Sequence, residues 1–268
     1  MMPDTFITTK EHRRFVEFAN AVRKEQTIGI CHGDAGVGKT NSARRYAHRD
    51  TLEPYVQEWG RRGADDPKLD AAANRSRAVF YTPDVLPRPK DLMRELDRWT
   101  VDLGIRIEDH QRTIGKITGT GGDARRWVEL LIIDEAERLT PTALELLRDR
   151  HDREHLAIIL IRMPGIDQRF RHYPQLYSRL GFAHRYRALG HDELFFVLDR
   201  HWKRLGHTLN PDDFTDAQAI SAIQRITRGN FRLLERLFPQ IQRVLKINQL
   251  ETITDDVIEA AASILVTG

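Results

Sequence analysis

Short apolar runs alternate with helical patterns through the first part of the chain. The runs are TIGICH at 27–32, RAVFYT at 77–82, VELLII at 128–133, HLAIILIRM at 155–163 and the shorter FAHRYR at 182–187. Such runs are typical of strands covered on both faces. Between the second and third runs, residues 90–104 carry Leu92, Leu96 and Trp99 at helical spacing. Strands that alternate with helices predict a parallel, three-layer α/β domain.

From about residue 190 onward only helical periods remain. The stretch HDELFFVLDRHWKRLG carries its apolar residues on one helical face, at Leu194, Leu198, Trp202 and Leu205. No further strand pattern follows, which indicates a small all-helical domain. We therefore predict two domains, an α/β domain over 1–189 and a helical domain over 190–268.

Capping signals divide this helical part. Thr215 and Gln218 stand at the spacing of a capping box, and Gly229 ends the same pattern. The next helix, over 230–247, contains Pro239, where we expect a kink. Thr254 is the expected cap of the last helix.

The first apolar run is followed directly by GDAGVGKT. This stretch fits the phosphate-loop pattern G-x-x-x-x-G-K-[ST], and it stands between a predicted strand and a predicted helix. Glycines allow backbone N–H groups to turn around phosphate oxygens, Lys39 supplies a point charge, and the Thr40 hydroxyl can ligate Mg²⁺. The predicted nucleotide-binding residues are Gly33, Asp34, Ala35, Gly36, Val37, Gly38, Lys39, Thr40 and Asn41.

The third run ends in Asp134 and Glu135. In parallel α/β sheets, ligands bind beyond the carboxyl ends of the strands. Asp134 would therefore hold Mg²⁺ together with Thr40, mostly through water. Glu135 would orient and deprotonate an attacking water molecule. The alternative is that the acidic pair only caps the following helix.

Composition adds a few limits. Lysine and arginine number 42 against 39 acidic residues, and a net charge of +3 permits a nucleic-acid partner without requiring one. Cys31 is the single cysteine, which excludes an internal disulfide framework and fits a reducing cytosol. No apolar run approaches the roughly 18 residues that span a bilayer. We expect a cytoplasmic protein without a membrane partner.

Two stretches concentrate basic residues. Residues 160–189 contain six arginines and one acidic residue, which fits a subunit interface. Residues 106–126 carry basic residues among glycines and threonines, which predicts a flexible loop suited to DNA phosphates without base readout. The alternative is a solvated surface loop. The predicted DNA-binding residues are Arg106, Arg112, Thr113 and Lys116.

The stretches GDAGVGKTNSARRY, LLIIDEAERLTPTALELLRD, AIILIRMPGI and YSRLGF together resemble an AAA+ ATPase over nearly the whole chain. The resemblance implies a three-layer P-loop NTPase core followed by a helical lid. Within that superfamily the chain is most similar to DNA-transposition regulators of the MuB, TnsC and TniB type. This implies an ATP-dependent oligomer, ring or filament, that assembles on double-stranded DNA. It would select a target and recruit or activate a transposase, with ATP hydrolysis driving disassembly.

The resemblance also implies roles for single residues. Arg179 in YSRLGF resembles the arginine finger that reaches a neighbouring subunit's γ-phosphate, with Arg169 and Arg171 as rival candidates. Arg232 stands where the phosphate-sensing arginine of the lid is expected. The chain departs from the family pattern after AIILIRM, where Arg162 and Met163 replace the usual Asn or Thr sensor. Either Arg162 takes that role or the role is absent.

Two other functions stay open. One is a different DNA-loading AAA+ ATPase, of the helicase-loader or initiator type. The other is a switch that does not act on DNA, similar to secretion-linked ATPases.

Overall fold

The computed structural model describes residues 6–57, 66–119, 122–163 and 174–265. The chain forms two compact units. The sheet unit comprises residues 14–33 and 39–185, and the helical unit comprises residues 1–13, 34–38 and 186–268. The rival finger candidates Arg169 and Arg171 lie outside the described residues.

The sheet unit is built on five parallel strands. They are β1 (Ile28–His32), β2 (Ala78–Tyr81), β3 (Leu130–Ile133), β4 (Ala157–Arg162) and β5 (Leu180–Arg185), in the spatial order β2-β3-β4-β1-β5. All residues of β2, β3 and β4 are buried, which explains their continuous apolar sequence. The predicted parallel α/β core is confirmed.

The helices of the sheet unit follow the chain in order. They are α1 (Lys10–Lys24), α2 (Lys39–Tyr46), α3 (Arg49–Gln57), α4 (Asp66–Ser76), α5 (Pro89–Thr113), α6 (Pro141–Glu154) and the short α7 (Pro174–Tyr177), where the first residues of α1 belong to the helical unit. Two 3₁₀ helices, Ala124–Trp127 and Ala136–Arg138, flank β3. Leu96 and Ile107 of α5 pack into one apolar core with Leu131 and Ile133 of β3.

The prediction of a flexible loop beginning at residue 106 is wrong. Helix α5 continues from the predicted 90–104 segment to Thr113, so Arg106, Arg112 and Thr113 are helical. The physical reason is that the apolar stripe extends to Ile107, which is fully buried. The chain leaves the helix at Ile114 and turns at Gly115, which has a φ of +70°.

The helical unit contains α8 (His191–Arg204), α9 (Phe214–Thr227), α10 (Phe231–Asn248) and α11 (Asp255–Ala262). Its core includes Leu198, Trp202, Leu234, Leu237 and Ile241. The predicted helical C-terminal part is therefore confirmed. Across the described ranges, no helix is both long enough and apolar enough to cross a bilayer.

Two helix starts test the capping signals. Thr254 caps α11, since its side chain accepts a hydrogen bond from the Val257 N–H at 3.4 Å. The prediction that Thr215 caps α9 is wrong, because Asp213 accepts bonds from the Thr215 and Asp216 N–H groups at 2.9 and 3.1 Å. A carboxylate is an equally good cap, and here it stands two residues earlier. Helix α10 runs through Pro239 without ending there.

Candidate nucleotide site

Two of the predicted site residues, one in α2 after the phosphate loop and one just beyond β3, are in direct contact. The Thr40 hydroxyl, in the first turn of α2, donates a hydrogen bond of 2.8 Å to Asp134 Oδ2, one residue beyond β3. β4 lies between β1 and β3 in the sheet. A hydroxyl and a carboxylate at this spacing are suited to share a hard cation with water and phosphate oxygens.

Burial governs the charge state of Asp134, which is 4% exposed. Desolvation raises the pKa of its carboxyl group, while the hydrogen bond from Thr40 lowers it in part. A bound cation would reverse the desolvation effect by favouring the carboxylate. Within the described ranges, no group of three His, Cys, Asp or Glu side chains could hold a metal. A Mg²⁺ ion held by Thr40 and Asp134 would have nucleotide phosphates and water available as further ligands.

Lys39 begins α2 and is 8% exposed. Its ammonium group donates a hydrogen bond to the Gly33 carbonyl, so the lysine folds back over the start of its own loop. This bond holds the buried Lys39 ammonium group at the place where the loop pattern predicts that it contacts a phosphate group.

Glu135 lies just past Asp134 with a φ of +48°, in the left-handed region. Its carboxylate forms an ion pair with Arg138, three residues later in the 3₁₀ helix. Arg138 also donates to the Pro83 carbonyl at 2.7 Å, in the loop after β2. The predicted catalytic base is therefore already paired with a cation that sequence reasoning did not identify. The only sequence signal is its place three residues after Glu135, a spacing at which two side chains meet on a helical turn.

Residues 34–38 of the phosphate loop belong to the helical unit, where α10 holds them. The Asn230 side-chain amide donates to the Ala35 carbonyl at 2.8 Å, and the Arg232 backbone N–H donates to the Gly36 carbonyl at 2.9 Å. Asn230 was missed from the sequence, although an Asn before an apolar helical pattern is a capping signal. Arg232 contributes this backbone contact, and its side chain is exposed.

Arg162 and Met163 occupy the position where the family pattern expects a polar sensor. Arg162 is the last residue of β4 and is 2% exposed, opposite His32 of β1 in the sheet register. Met163 is 40% exposed. The carboxyl end of β4 therefore carries a buried guanidinium group, between the strands that precede the phosphate loop and Asp134.

Arg179, the predicted finger, precedes β5 and is bound within its own chain. Its Nε and Nη2 atoms lie 3.1 and 2.9 Å from the two carboxylate oxygens of Asp152 in α6. This guanidinium holds the pKa of the Asp152 carboxyl group below its usual value.

The predicted DNA-binding residues differ in whether their side chains are already paired within the chain. Arg106 pairs with Asp70 at 3.1 Å and is largely buried, while Arg112 pairs with Asp109 at 2.7 Å. The Thr113 hydroxyl donates to the Asp109 carbonyl within α5. Lys116, beyond the end of the helix, has an exposed side chain.

Comparison of the sequence with known proteins shows the family of the chain. Residues 22–170 match the family model described as an AAA domain. The chain is 40% identical over 267 residues to a Staphylococcus aureus protein named "Potential ATP-binding protein", covering 98% of this chain and 97% of that protein.

Solved structures agree in fold. The Thermotoga maritima RuvB Holliday junction branch migration motor has a TM-score of 0.56 at 16% identity, covering 98% of this chain and 71% of that chain. The Aeropyrum pernix ORC2 protein in its ADP form has a TM-score of 0.57 at 14% identity, with the same coverage. The Aeropyrum pernix ORC1 protein in complex with DNA scores 0.54 at 16% identity, over 98% of this chain and 67% of that one. The chain belongs to the AAA domain family and has the AAA+ P-loop fold.

Proposed function

We propose that this protein binds ATP with Mg²⁺ at its phosphate loop and hydrolyses it to ADP and phosphate. The single observation that carries the proposal is the 2.8 Å hydrogen bond between Thr40 and Asp134, the two residues predicted to hold the metal. The 40% identical relative is named as a potential ATP-binding protein, which supports the same reaction.

Four residues of the chain have separate roles in the proposed reaction. Thr40 and Asp134 would hold a Mg²⁺ ion, which would supply positive charge to the phosphates of the bound nucleotide. Lys39 exchanges its Gly33 carbonyl for phosphate oxygens. Glu135 accepts a proton from the water that attacks the γ-phosphorus, and ADP leaves. Because the Arg138 guanidinium occupies the Glu135 carboxylate, Glu135 must leave Arg138 before it can contact the attacking water.

We further propose that the active form is a homo-oligomer, ring or filament, on double-stranded DNA. Arg179 would exchange Asp152 for the γ-phosphate of a neighbouring subunit, and Arg232 would contact phosphate within its own subunit. Lys116 and the turn that follows α5 would contact DNA phosphates. Two structural neighbours are a Holliday junction branch migration motor and an ORC1 protein in complex with DNA, which supports a DNA partner.

The specific role that the sequence favours is a transposition regulator that selects target DNA and recruits or activates a transposase. The family resemblance supports it. An initiator or helicase-loader role is the second candidate, and the likeness of the fold to the ORC proteins favours it. The two candidates differ in DNA sequence specificity. A target selector binds DNA without sequence preference, whereas an initiator recognises a specific DNA sequence.

One experiment tests the proposal in steps. Duplex DNA of random sequence is titrated with the full chain, with and without Mg-ATP, and the complexes are imaged by electron microscopy while phosphate release is followed. We expect tight, salt-sensitive binding only with ATP, with regular oligomers and faster hydrolysis. Equal binding without ATP would contradict the oligomer, and strong preference for one sequence would favour the initiator. ATP hydrolysis without any DNA binding would favour a switch that does not act on DNA.

A further inference from the structure

Asn230 uses both ends of its side-chain amide. Its Oδ1 accepts a hydrogen bond from the Leu233 N–H at 3.3 Å, which caps α10. Its Nδ2 donates to the Ala35 carbonyl of the phosphate loop at 2.8 Å. The cap requires an acceptor, so it fixes the orientation of the amide and directs the donor end at Ala35.

A second bond holds the next peptide group of the loop. The Arg232 backbone N–H donates to the Gly36 carbonyl at 2.9 Å. In a planar trans peptide the C=O and N–H groups point in opposite directions. Two consecutive carbonyls are bound to the first turn of α10, so the N–H groups of Gly36 and Val37 are directed away from that helix. Inward-facing N–H groups are what a phosphate loop needs.

The close approach of loop and helix depends on Gly36. A Cβ atom at this position would lie 2.5 Å from Asn230 Oδ1 and 2.9 Å from the Arg232 Cβ atom. The φ of Gly36 is +80°, a conformation that other residues adopt with strain. The backbone conformation and the limited space at this position therefore both require glycine.

We propose that Asn230 is a positioning residue for the nucleotide site, through which the first turn of α10 sets the peptide orientation of the phosphate loop. The proposal rests on the proposed nucleotide-binding function. Ser and Asp cap helices as well as Asn does. Only Asn combines the capping acceptor with an amide donor that spans the distance to Ala35.

The test separates this positioning role from the cap. Asn230→Ser and Asn230→Asp keep a capping oxygen and remove the amide donor. Asp213→Ser, at the start of α9 in the same unit, is the matched control, because it also exchanges one capping residue for another. Amide hydrogen exchange of the Arg232 N–H, which donates to the Gly36 carbonyl, is measured without nucleotide, and the Kd for Mg-ATP is measured for every variant.

Both Asn230 variants should loosen the loop and speed exchange of the Arg232 N–H roughly 3- to 10-fold, the equivalent of one ordinary hydrogen bond. Asn230→Ser should weaken Mg-ATP binding by a similar factor, and Asn230→Asp by more, because its carboxylate repels phosphate. Asp213→Ser should change neither. Unchanged exchange, or faster exchange with an unchanged Kd, would overturn the proposal. If the wild type binds no ATP, the proposed function fails, and the exchange rates then decide whether Asn230 positions the loop.

Discussion

Arg179 and Asp152 form a two-point ion pair within one chain, with nitrogen–oxygen distances of 3.1 and 2.9 Å. The predicted arginine finger is therefore held by α6 of its own subunit. Asp152 is also paired with Arg148, so the carboxylate keeps a cation if Arg179 leaves. Release of the finger costs less than breaking an isolated pair, because no charge is left alone.

The first prediction concerns this pair. Asp152→Asn should increase ATP-dependent oligomerisation and hydrolysis roughly 2- to 5-fold, since partly exposed ion pairs contribute about 0.2–1 kcal/mol. Sedimentation with ATP and phosphate release measure the two effects. The control is Asp149→Asn, which breaks an exposed pair with Arg153 on the same helix. Arg179→Ala should assemble poorly, and full activity of that variant would contradict a finger role.

A mixing experiment tests completion of the site between subunits. Lys39→Ala should abolish ATP binding, and Arg179→Ala should bind ATP but hydrolyse it slowly. Some interfaces in mixed oligomers combine an intact loop with an intact finger, so activity should partly return. No recovery in confirmed mixed oligomers would argue against Arg179 acting across an interface.

The pair between Glu135 and Arg138 gives the next prediction. Glu135→Gln should retain ATP binding and lose hydrolysis by about 10²- to 10⁴-fold, because an amide accepts no proton. Arg138→Ala should raise hydrolysis in the absence of DNA, since it frees the carboxylate. Arg138→Lys, which keeps the charge, is the control. Wild-type hydrolysis in Glu135→Gln would show that the base lies elsewhere.

Asp134 should affect stability in opposite ways with and without ligand. Burial raises the pKa of this carboxyl group, so the charged form destabilises the folded protein above that pKa. Asp134→Asn should therefore raise the free energy of unfolding of the nucleotide-free protein at pH 7, by about 1 kcal/mol. The gain should fade as the pH falls through about 4, because the unfolded carboxyl then becomes protonated as well.

With Mg-ATP the same substitution should remove most of the stabilisation that ligand binding provides. Urea unfolding at pH 4 and pH 7, with and without Mg-ATP, measures both effects. A variant stabilised by Mg-ATP as strongly as the wild type would exclude Asp134 as a metal ligand.

Two basic residues predicted to contact DNA should behave differently. Lys116→Ala should weaken duplex binding for all sequences and reduce the salt slope by about 1, the share of one phosphate contact. Arg106→Ala should cost about 1–3 kcal/mol of stability instead, because Asp70 loses its partner in a largely buried position. Filter binding across salt concentrations and urea unfolding separate the two. Equal loss of DNA affinity in both variants would contradict this distinction.

The sequence alone determined the parallel α/β core, the helical C-terminal part and the place of the phosphate-loop motif. These features depend on local signals: continuous apolar strands, a change to helical period near residue 190, and GDAGVGKT directly after a strand. The pairing of Thr40 with Asp134 also followed, because parallel strands carry their next residues to one edge of the sheet.

The tertiary structure decided which charged groups already have partners. Nothing in a linear pattern distinguishes Arg106, bound to Asp70 from another helix, from the exposed Lys116. Asn230 lies 195 residues after Ala35 in the sequence, and Arg179 is likewise distant from Asp152. The structure brings each of these pairs into hydrogen-bond contact. Ion pairs and hydrogen bonds of this kind depend on distances of a few ångströms between side chains, and only packing of the helices sets those distances.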